Sequence, residues 1–297
     1  MKPINGKALY SPKGAAQEYG RVGCNFYTGC PHGCTYCYLK RGITGKALGG
    51  TEVQLKKCFK DEKDAMDIFK REVNNNLEAC RQHGIFFSFT TDPLIKETRK
   101  LTFQAMASAI SFGVPVYVLT KDASFIDSEV GLWWLDLLLA EPTLVHFGFT
   151  LTGRDDMEPN ASSNEERINA MRILHHAGFP TWASIEPVID WASTQRIVVA
   201  SIPYCDHYKI GLRSGVKKDY YKPEEVAQGI GFICEILRKN GRTVYLKESV
   251  RKVLRDCIPS GGIVPKHEHW TELRNTGEMV ITPEQQEKLR DILAQLP

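Results

Sequence analysis

The chain has 297 residues, 42% of them hydrophobic and 25% charged, and its formal net charge is +3. This length suits one large α/β domain or two small ones, and so small a charge does not by itself indicate a nucleic-acid-binding protein. The N-terminal residues lack the apolar core of a signal peptide, and no run of about 18 apolar residues could span a membrane, so we expect a cytoplasmic protein without membrane association.

Short β-branched or aromatic runs alternate along the chain with longer segments of helical periodicity. The predicted strands are residues 22–27, 85–90, 115–120, 145–151, 181–185, 207–212 and 243–246. The predicted helices are residues 61–83, 97–112, 163–177, 223–239 and 282–296. Strands that alternate with helices indicate βα units and a parallel sheet. Six or seven such units fit a full or partial (β/α) barrel.

In such a barrel the chemistry takes place at the C-terminal ends of the strands. Polar or metal-binding residue types follow each predicted strand, as the rim of an active site requires. These segments are residues 28–37, 90–93, 120–122, 150–153, 186–187, 213–214 and 247–248.

Three of the nine cysteines fall within eight residues. Cys30, Cys34 and Cys37 follow the first predicted strand in a C-x3-C-x2-C arrangement. Thiolates are the soft ligands that iron–sulfur clusters require, and three protein ligands leave one iron of a cubane open to a substrate or cofactor. The loop therefore predicts a [4Fe–4S] cluster. Zinc is the alternative, with His32 or a remote cysteine as the fourth ligand.

Residues 25–38 read NFYTGCPHGCTYCY. They resemble the cluster loop of the radical S-adenosylmethionine (SAM) superfamily, in particular its spore photoproduct lyase-like branch, often labelled DNA repair photolyases. Residues 87–92 and 119–121 are similar to that branch's motifs at its second and third strands. Glu158-Pro159, followed by Arg167 and a later Ala-Gly pair, is similar to the stretch after its fourth strand.

The resemblance implies a partial (β/α)6-type TIM barrel of the radical SAM kind. Residues 21–250 would form the barrel, between an N-terminal extension of residues 1–20 and a C-terminal extension of residues 251–297 that ends in a helix. It also implies a [4Fe–4S] cluster and SAM as cofactors, cleavage of SAM to a 5′-deoxyadenosyl radical, and abstraction of hydrogen from a substrate. A flavodoxin or ferredoxin would supply the electron.

The same resemblance implies the residues that would contact SAM. Tyr36 would lie against the adenine, and Lys121 would pair with the carboxylate. Thr91, together with Asp92, would face the methionyl or ribose end, and Thr150 would hydrogen-bond the ribose.

Two further positions have alternative interpretations. Glu186, at the end of the fifth strand of the barrel, would contact SAM or the substrate, or cap its own loop. Arg167 would reach SAM, or only stabilise its own helix through Glu165 or Glu166. No residue is assigned as catalytic.

The chain differs from spore photoproduct lyase at the end of the second strand of the barrel. The lyase that it resembles carries a cysteine there, which returns hydrogen to the product radical, whereas this chain has Phe89. Because a phenyl ring has no comparably weak bond to hydrogen, we expect no efficient thymine-dimer lyase activity. The cysteines outside the loop are expected to be small core residues; they are Cys24, Cys58, Cys80, Cys205, Cys234 and Cys257.

The segment of residues 213–222 combines basic residues with tyrosines, namely Lys217, Lys218, Tyr220 and Tyr221. It could hold a nucleic-acid backbone and stack a base, or form a solvated loop. In the tail, His267-Glu268-His269 could bind a metal or form another solvated loop.

The leading hypothesis is therefore a radical SAM enzyme that acts on a nucleic acid or nucleobase. A radical SAM enzyme that modifies a peptide or small metabolite is the second. A non-catalytic iron–sulfur protein, an electron carrier or redox sensor, is the third.

Overall fold

The computed structural model describes residues 2–42, 45, 48–217 and 219–257. The strands within them are β1 (Leu9–Tyr10), β2 (Gly23–Cys24), β3 (Tyr27–Thr28), β4 (Gln54–Leu55), β5 (Ile85–Phe87), β6 (Val116–Thr120), β7 (Val145–Thr150), β8 (Thr181–Val188), β9 (His207–Leu212) and β10 (Thr243–Leu246). Eight of them form one sheet in the order β1-β2-β5-β6-β7-β8-β9-β10. Strand β1 is antiparallel to β2, and every other neighbouring pair of this sheet is parallel.

Helices connect the parallel strands, which confirms the predicted α/β fold. They are α1 (Glu62–Asn75), α2 (Leu77–His83), α3 (Arg99–Ser111), α4 (Glu129–Leu138), α5 (Asn164–His176), α6 (Trp191–Ser201), α7 (Pro223–Lys239) and α8 (Glu248–Cys257). Among the described residues no ladder joins β10 to β1, so the sheet is a partial barrel and not a closed one. A separate hairpin pairs β3 with β4.

Most predicted elements are present, and the differences are local. The predicted helix 61–83 is divided at Asn76 into α1 and α2. At the start of α5, Ser163 and Glu166 form the expected capping box. The predictions missed α4, α6 and α8. The predicted terminal helix and the His267-Glu268-His269 segment lie outside the described residues.

The two faces of the sheet have different compositions, because successive side chains of a strand point to opposite sides. On the outer face, residues such as Phe147 and Phe149 of β7 join a large hydrophobic core beneath the helices. On the inner face, Phe86 and Trp182 belong to a smaller aromatic cluster. Gly148 makes room for this cluster, since a Cβ there would lie 2.1 Å from the Trp182 ring.

The predicted N-terminal extension contributes to the barrel itself. Leu9–Tyr10 forms the edge strand β1. After a 3-10 helix at Gly14–Glu18, Glu18 and Tyr19 are buried at the inner face of the sheet. At the other predicted boundary, α8 crosses residue 250 without a break.

Candidate functional site

The cysteine loop leaves the hairpin strand β3 through a turn that requires glycine. Gly29 has a φ of +82°, and a Cβ there would lie 2.0 Å from the carbonyl oxygen of Glu52. The amide of the next residue, Cys30, donates to the Gly50 carbonyl at 2.9 Å. These contacts fix the entry to the loop, in which Cys34 is buried while Cys30 and Cys37 are partly exposed.

The segment that follows β7 holds the loop from one side. Thr35 donates its amide to the Met157 carbonyl at 3.0 Å. Asn160 donates its own amide to the His32 carbonyl at 3.2 Å and its side-chain amide to the Pro31 carbonyl at 2.9 Å. The stretch after the fourth strand of the barrel, noted in the sequence as a motif, is thus the backbone support of the cysteine loop.

Asp92 ties the loop to the ends of β5 and β6. One carboxylate oxygen contacts His32 Nε2 at 2.8 Å and accepts from the Lys121 amide at 2.7 Å. The other accepts from the Thr120 hydroxyl at 2.7 Å and the Leu94 amide at 3.0 Å. Burial by itself would raise the pKa of Asp92, but these hydrogen bonds, that of His32 foremost, lower it to about 2. Both carboxylate oxygens are therefore in use within the protein.

A buried ion pair supports the aromatic residue of the loop. Arg167 and Glu158 are joined by a 2.7 Å contact, and both side chains are fully buried. The Tyr36 hydroxyl donates to one oxygen of Glu158, and the Thr152 hydroxyl donates to the other at 3.1 Å. Arg167 also donates to the Thr150 carbonyl at 2.6 Å. The ring of Tyr36 is therefore held against the end of β7.

Three groups beside the loop remain without hydrogen-bond partners among the described residues. Lys121 lies with its ammonium 5.7 Å from the centre of the Tyr36 ring. Burial is the largest single influence and would lower the pKa of Lys121, but the negative charges of the Cys34 thiolate, Glu158 and Cys30 together raise it. The Thr91 hydroxyl is buried with no partner, and no hydrogen bond of the Thr150 hydroxyl is found within the described part. A cation and unused hydroxyls beside three thiols suit a cluster ligand that carries a carboxylate.

Glu186 lies across the mouth of the barrel, at a cis peptide bond with Pro187 near the end of β8. One carboxylate oxygen accepts from Lys247 Nζ at 2.5 Å and from the Tyr19 hydroxyl. The other oxygen rests against Gly211, where a Cβ would lie only 2.7 Å away. The side chain is 26% exposed, so the carboxylate is fixed but reaches solvent.

A cluster of buried charges lies beneath Glu186, and no local pattern in the sequence indicates it. Lys209 donates to the Glu18 carbonyl, and its Nζ lies 5.3 Å from the centre of the Tyr245 ring. The Glu18 carboxylate is 3.7 Å from Lys247 and 3.8 Å from Arg251. Burial, reinforced by Lys247, holds the pKa of Lys209 well below its usual range. The pairing of β9 with β10 brings Lys209 beside Tyr245, and the N-terminal segment adds Glu18 to them.

Phe89 belongs to an aromatic wall that Tyr19 links to Glu186. Its ring is 4.6 Å from that of Phe86 and 6.4 Å from those of Tyr10 and Tyr19. The Tyr38 hydroxyl donates to its carbonyl group. Phe89 is half-buried, so part of its ring is accessible to solvent.

The basic, tyrosine-containing segment after β9 lies against the cysteine loop. Arg41, which follows the loop, donates to the Ser214 carbonyl at 2.7 Å. Tyr220 is 46% exposed, and Lys217 is exposed beside it. Lys218 lies outside the described residues. This contact joins two segments that are far apart in the sequence at one rim of the barrel.

Some sequence interpretations need correction. Arg167 pairs with Glu158, so the expected pairing with Glu165 or Glu166 is wrong. Cys58 is exposed, so it is not a core residue. Four other cysteines are buried as expected, namely Cys24, Cys80, Cys205 and Cys234; the side chain of Cys257 is not described.

Two observations disfavour a zinc ion in the cysteine loop. His32, offered as a fourth ligand, has its Nε2 on Asp92 and its Nδ1 on the Asn160 carbonyl, at 2.8 and 3.2 Å. Across the described ranges, no three His, Cys, Asp or Glu side chains gather closely enough to hold one metal ion. A cubane differs in this respect, because each of its cysteines binds a different iron.

A groove of about 840 Å³ runs between α1, α3 and α4. Its lining residues all belong to helices or helix ends on the outside of the sheet. It is therefore remote from the strand ends, where α/β barrels carry out their chemistry. No helix in the described part of the chain is long and apolar enough to cross a membrane.

Comparisons with known proteins bear on the fold and the family of the chain. In structure the chain is similar to SuiB of Streptococcus suis bound to S-adenosylmethionine, with a TM-score of 0.54 at 12% identity over 77% of this chain and 51% of SuiB. The chain thus spans about half the length of SuiB, and at this identity the likeness shows the fold alone. In sequence it is 26% identical over 252 residues to an uncharacterized protein of Methanocaldococcus jannaschii, covering 80% of this chain and 88% of that protein.

The fold is that of a radical SAM partial barrel. The model of the radical SAM superfamily matches residues 24–189, more than half of the chain. The protein belongs to the radical SAM superfamily, and it accordingly uses a [4Fe–4S] cluster and SAM. Members of this superfamily are enzymes and need an electron donor.

Proposed function

We propose that the protein is a radical SAM enzyme that acts on a nucleic acid or nucleobase. Cys30, Cys34 and Cys37 would hold the cluster, since they are the soft ligands of the loop that β3 presents at the mouth. When bound, the cluster and SAM supply a 5′-deoxyadenosyl radical that abstracts hydrogen from the substrate. A small electron carrier of the flavodoxin or ferredoxin kind would be the donor.

The residues around the loop divide into those that would contact SAM and those that position others. Lys121 would pair with the SAM carboxylate. The unused hydroxyls of Thr91 and Thr150 would form hydrogen bonds with the rest of SAM. Tyr36 would present its ring to the adenine. We assign Asp92 to positioning the loop, because its two oxygens already bind four protein groups.

A nucleic-acid substrate is supported above all by the contact between Arg41 and Ser214. It brings the segment with Lys217 and Tyr220 to the rim beside the cysteine loop. Exposed cations attract a phosphate backbone, and exposed tyrosines offer rings for base stacking. Tyr38, 50% exposed on the loop side, adds another such ring.

The likeness to the spore photoproduct lyase-like branch supports the class of substrate but not the lyase reaction. Returning hydrogen to a product radical needs a weak bond to hydrogen close to that radical, and small displacements are costly in rate. By the resemblance, Phe89 stands where the lyase has its donor cysteine, and here it lies within an aromatic wall. We therefore expect the wild-type enzyme not to restore thymines efficiently from spore photoproduct, which an assay of Phe89→Cys against wild type would test. Rapid repair by wild type would refute this.

The substrate proposal is tested by binding of short single-stranded oligonucleotides to the anaerobically reconstituted enzyme. Affinity should fall as salt rises, and Lys217→Ala should reduce the slope of log K against log salt by about one. Lys100→Ala is the matched control, because Lys100 is exposed on α3 away from the mouth. The proposal would be contradicted if the oligonucleotide affinity did not depend on salt, or if Lys217→Ala and Lys100→Ala changed the salt dependence equally.

A further inference from the structure

Glu186 has one carboxylate oxygen that the protein does not use. Lys247 and Tyr19 both donate to Oε2, and among the described residues Oε1 accepts no hydrogen bond. The side chain retains 26% exposure. Because two donors hold the other oxygen, the unused one is a fixed acceptor at the mouth of the barrel.

Tyr19 connects this acceptor to the aromatic wall. Its hydroxyl binds Glu186, and its ring lies 6.4 Å from the ring of Phe89, at an interplanar angle of 70°. Phe89 in turn lies 4.6 Å from Phe86. The Phe89 ring and the Glu186 carboxylate are therefore separated by a single side chain, that of Tyr19, which contacts both.

We propose that Glu186 reads a nucleobase held against Phe89, by accepting a hydrogen bond from an N–H group on the base edge. This proposal rests on the nucleic-acid substrate proposed above and names the residue that would recognise the base. Carboxylates accept hydrogen bonds from base amino groups, and enzymes that act on an extruded base read its Watson–Crick edge while packing its faces against aromatic or apolar side chains. Lys217 and its neighbours would hold the backbone outside.

A phosphate is a poor occupant of the same position, because it has only acceptor oxygens and the same sign of charge as the carboxylate. An aliphatic group would exclude water from Oε1 without offering it a donor, which is costly in a partly buried site. A planar group that carries an N–H donor satisfies both the wall and the acceptor, and nucleobases meet this description.

The geometry makes Glu186→Gln a sharp test. Lys247 and Tyr19 both donate, so the amide oxygen of the new side chain would stay on them, and its amide nitrogen would take the position of the unused oxygen. The substitution thus converts an acceptor at the mouth into a donor while keeping the shape of the side chain. Glu224→Gln is the matched control, because Glu224 is exposed on α7 and its substitution removes the same charge away from the mouth.

The probes are short single-stranded oligonucleotides of thymine, cytosine or adenine, each compared with a partner whose edge N–H groups are blocked by methylation. With wild type and Glu224→Gln, blocking should weaken binding of the preferred base about tenfold, the size of a good base contact. With Glu186→Gln this difference should disappear, whereas the salt dependence should not change.

The outcomes separate the two proposals. Salt-dependent binding that is insensitive to methylation for all three bases, or equally sensitive in wild type and Glu186→Gln, would overturn the role of Glu186 and leave the substrate class intact. An absence of oligonucleotide binding by wild type would overturn both. Circular dichroism of each variant checks that the fold is retained.

Discussion

The two sides of the barrel mouth use their carboxylates differently. On the side of the cysteine loop, Asp92 and Glu158 have every oxygen engaged by protein donors. At the end of β8, Glu186 has one oxygen engaged and one unused among the described residues. The first carboxylates therefore hold a loop in place, whereas Glu186 keeps an oxygen that our proposal assigns to a ligand.

The largest effect should follow removal of a loop cysteine. Anaerobic reconstitution of wild type should give about four irons per chain, the content of one [4Fe–4S] cluster. Cys34→Ala should abolish this iron content and the associated absorbance, because the two remaining thiolates of the loop are too few to hold the cluster. Cys58→Ala, which removes an exposed thiol elsewhere, is the control. A full cluster in Cys34→Ala would contradict the assignment of the loop.

Removing one partner of the buried ion pair beside the cysteine loop should destabilise the protein. Arg167→Met would leave the Glu158 carboxylate buried without its cation, and it should lower the free energy of unfolding by about 3–5 kcal/mol. Denaturant unfolding of the apoprotein measures this. The double variant Arg167→Met, Glu158→Met should recover part of the loss. Equal stability of wild type and Arg167→Met would show that the pair does not hold this side together.

Lys121 tests whether this side also leaves room for a ligand. Lys121→Ala should weaken SAM binding by about 1.5–3 kcal/mol, the range for a hydrogen bond to a charged group, without changing iron content. Equilibrium binding of SAM to the reconstituted enzyme measures this, and Lys100→Ala should bind as wild type does. Unchanged affinity in Lys121→Ala would assign the lysine to a structural role.

Asp92 should make the stability of the folded protein depend on pH in the acidic range. Its pKa is lowered from 3.8 to about 2 in the folded protein, so its contribution to stability is present above pH 4 and is lost as the pH falls towards 2. The contribution is about 2 kcal/mol. Urea unfolding of the apoprotein at pH 5 and pH 3 should therefore show a smaller acid loss in Asp92→Asn than in wild type. Identical losses would contradict this account of Asp92.

The sequence predicted those parts of the fold and site that depend on local pattern. Strand runs such as residues 116–120 could be identified because β-branched residues cluster there, and the cysteine loop because its spacing is short. Glu18 and Tyr19 could not be identified, because they act through an insertion that brings them to strands far along the chain. The partner of Arg167 was missed for a related reason, since a pairing within its own helix is equally compatible with the sequence.

The central claim, that this enzyme abstracts hydrogen from a nucleic acid, is tested most directly by isotope transfer. The reconstituted enzyme would be reduced in the presence of SAM and uniformly deuterated DNA or RNA oligonucleotides, and the 5′-deoxyadenosine formed would be analysed by mass spectrometry. Deuterium from one of these substrates should appear in 5′-deoxyadenosine, and Cys34→Ala should form none of this product. Formation of 5′-deoxyadenosine by wild type without deuterium from either substrate would contradict it.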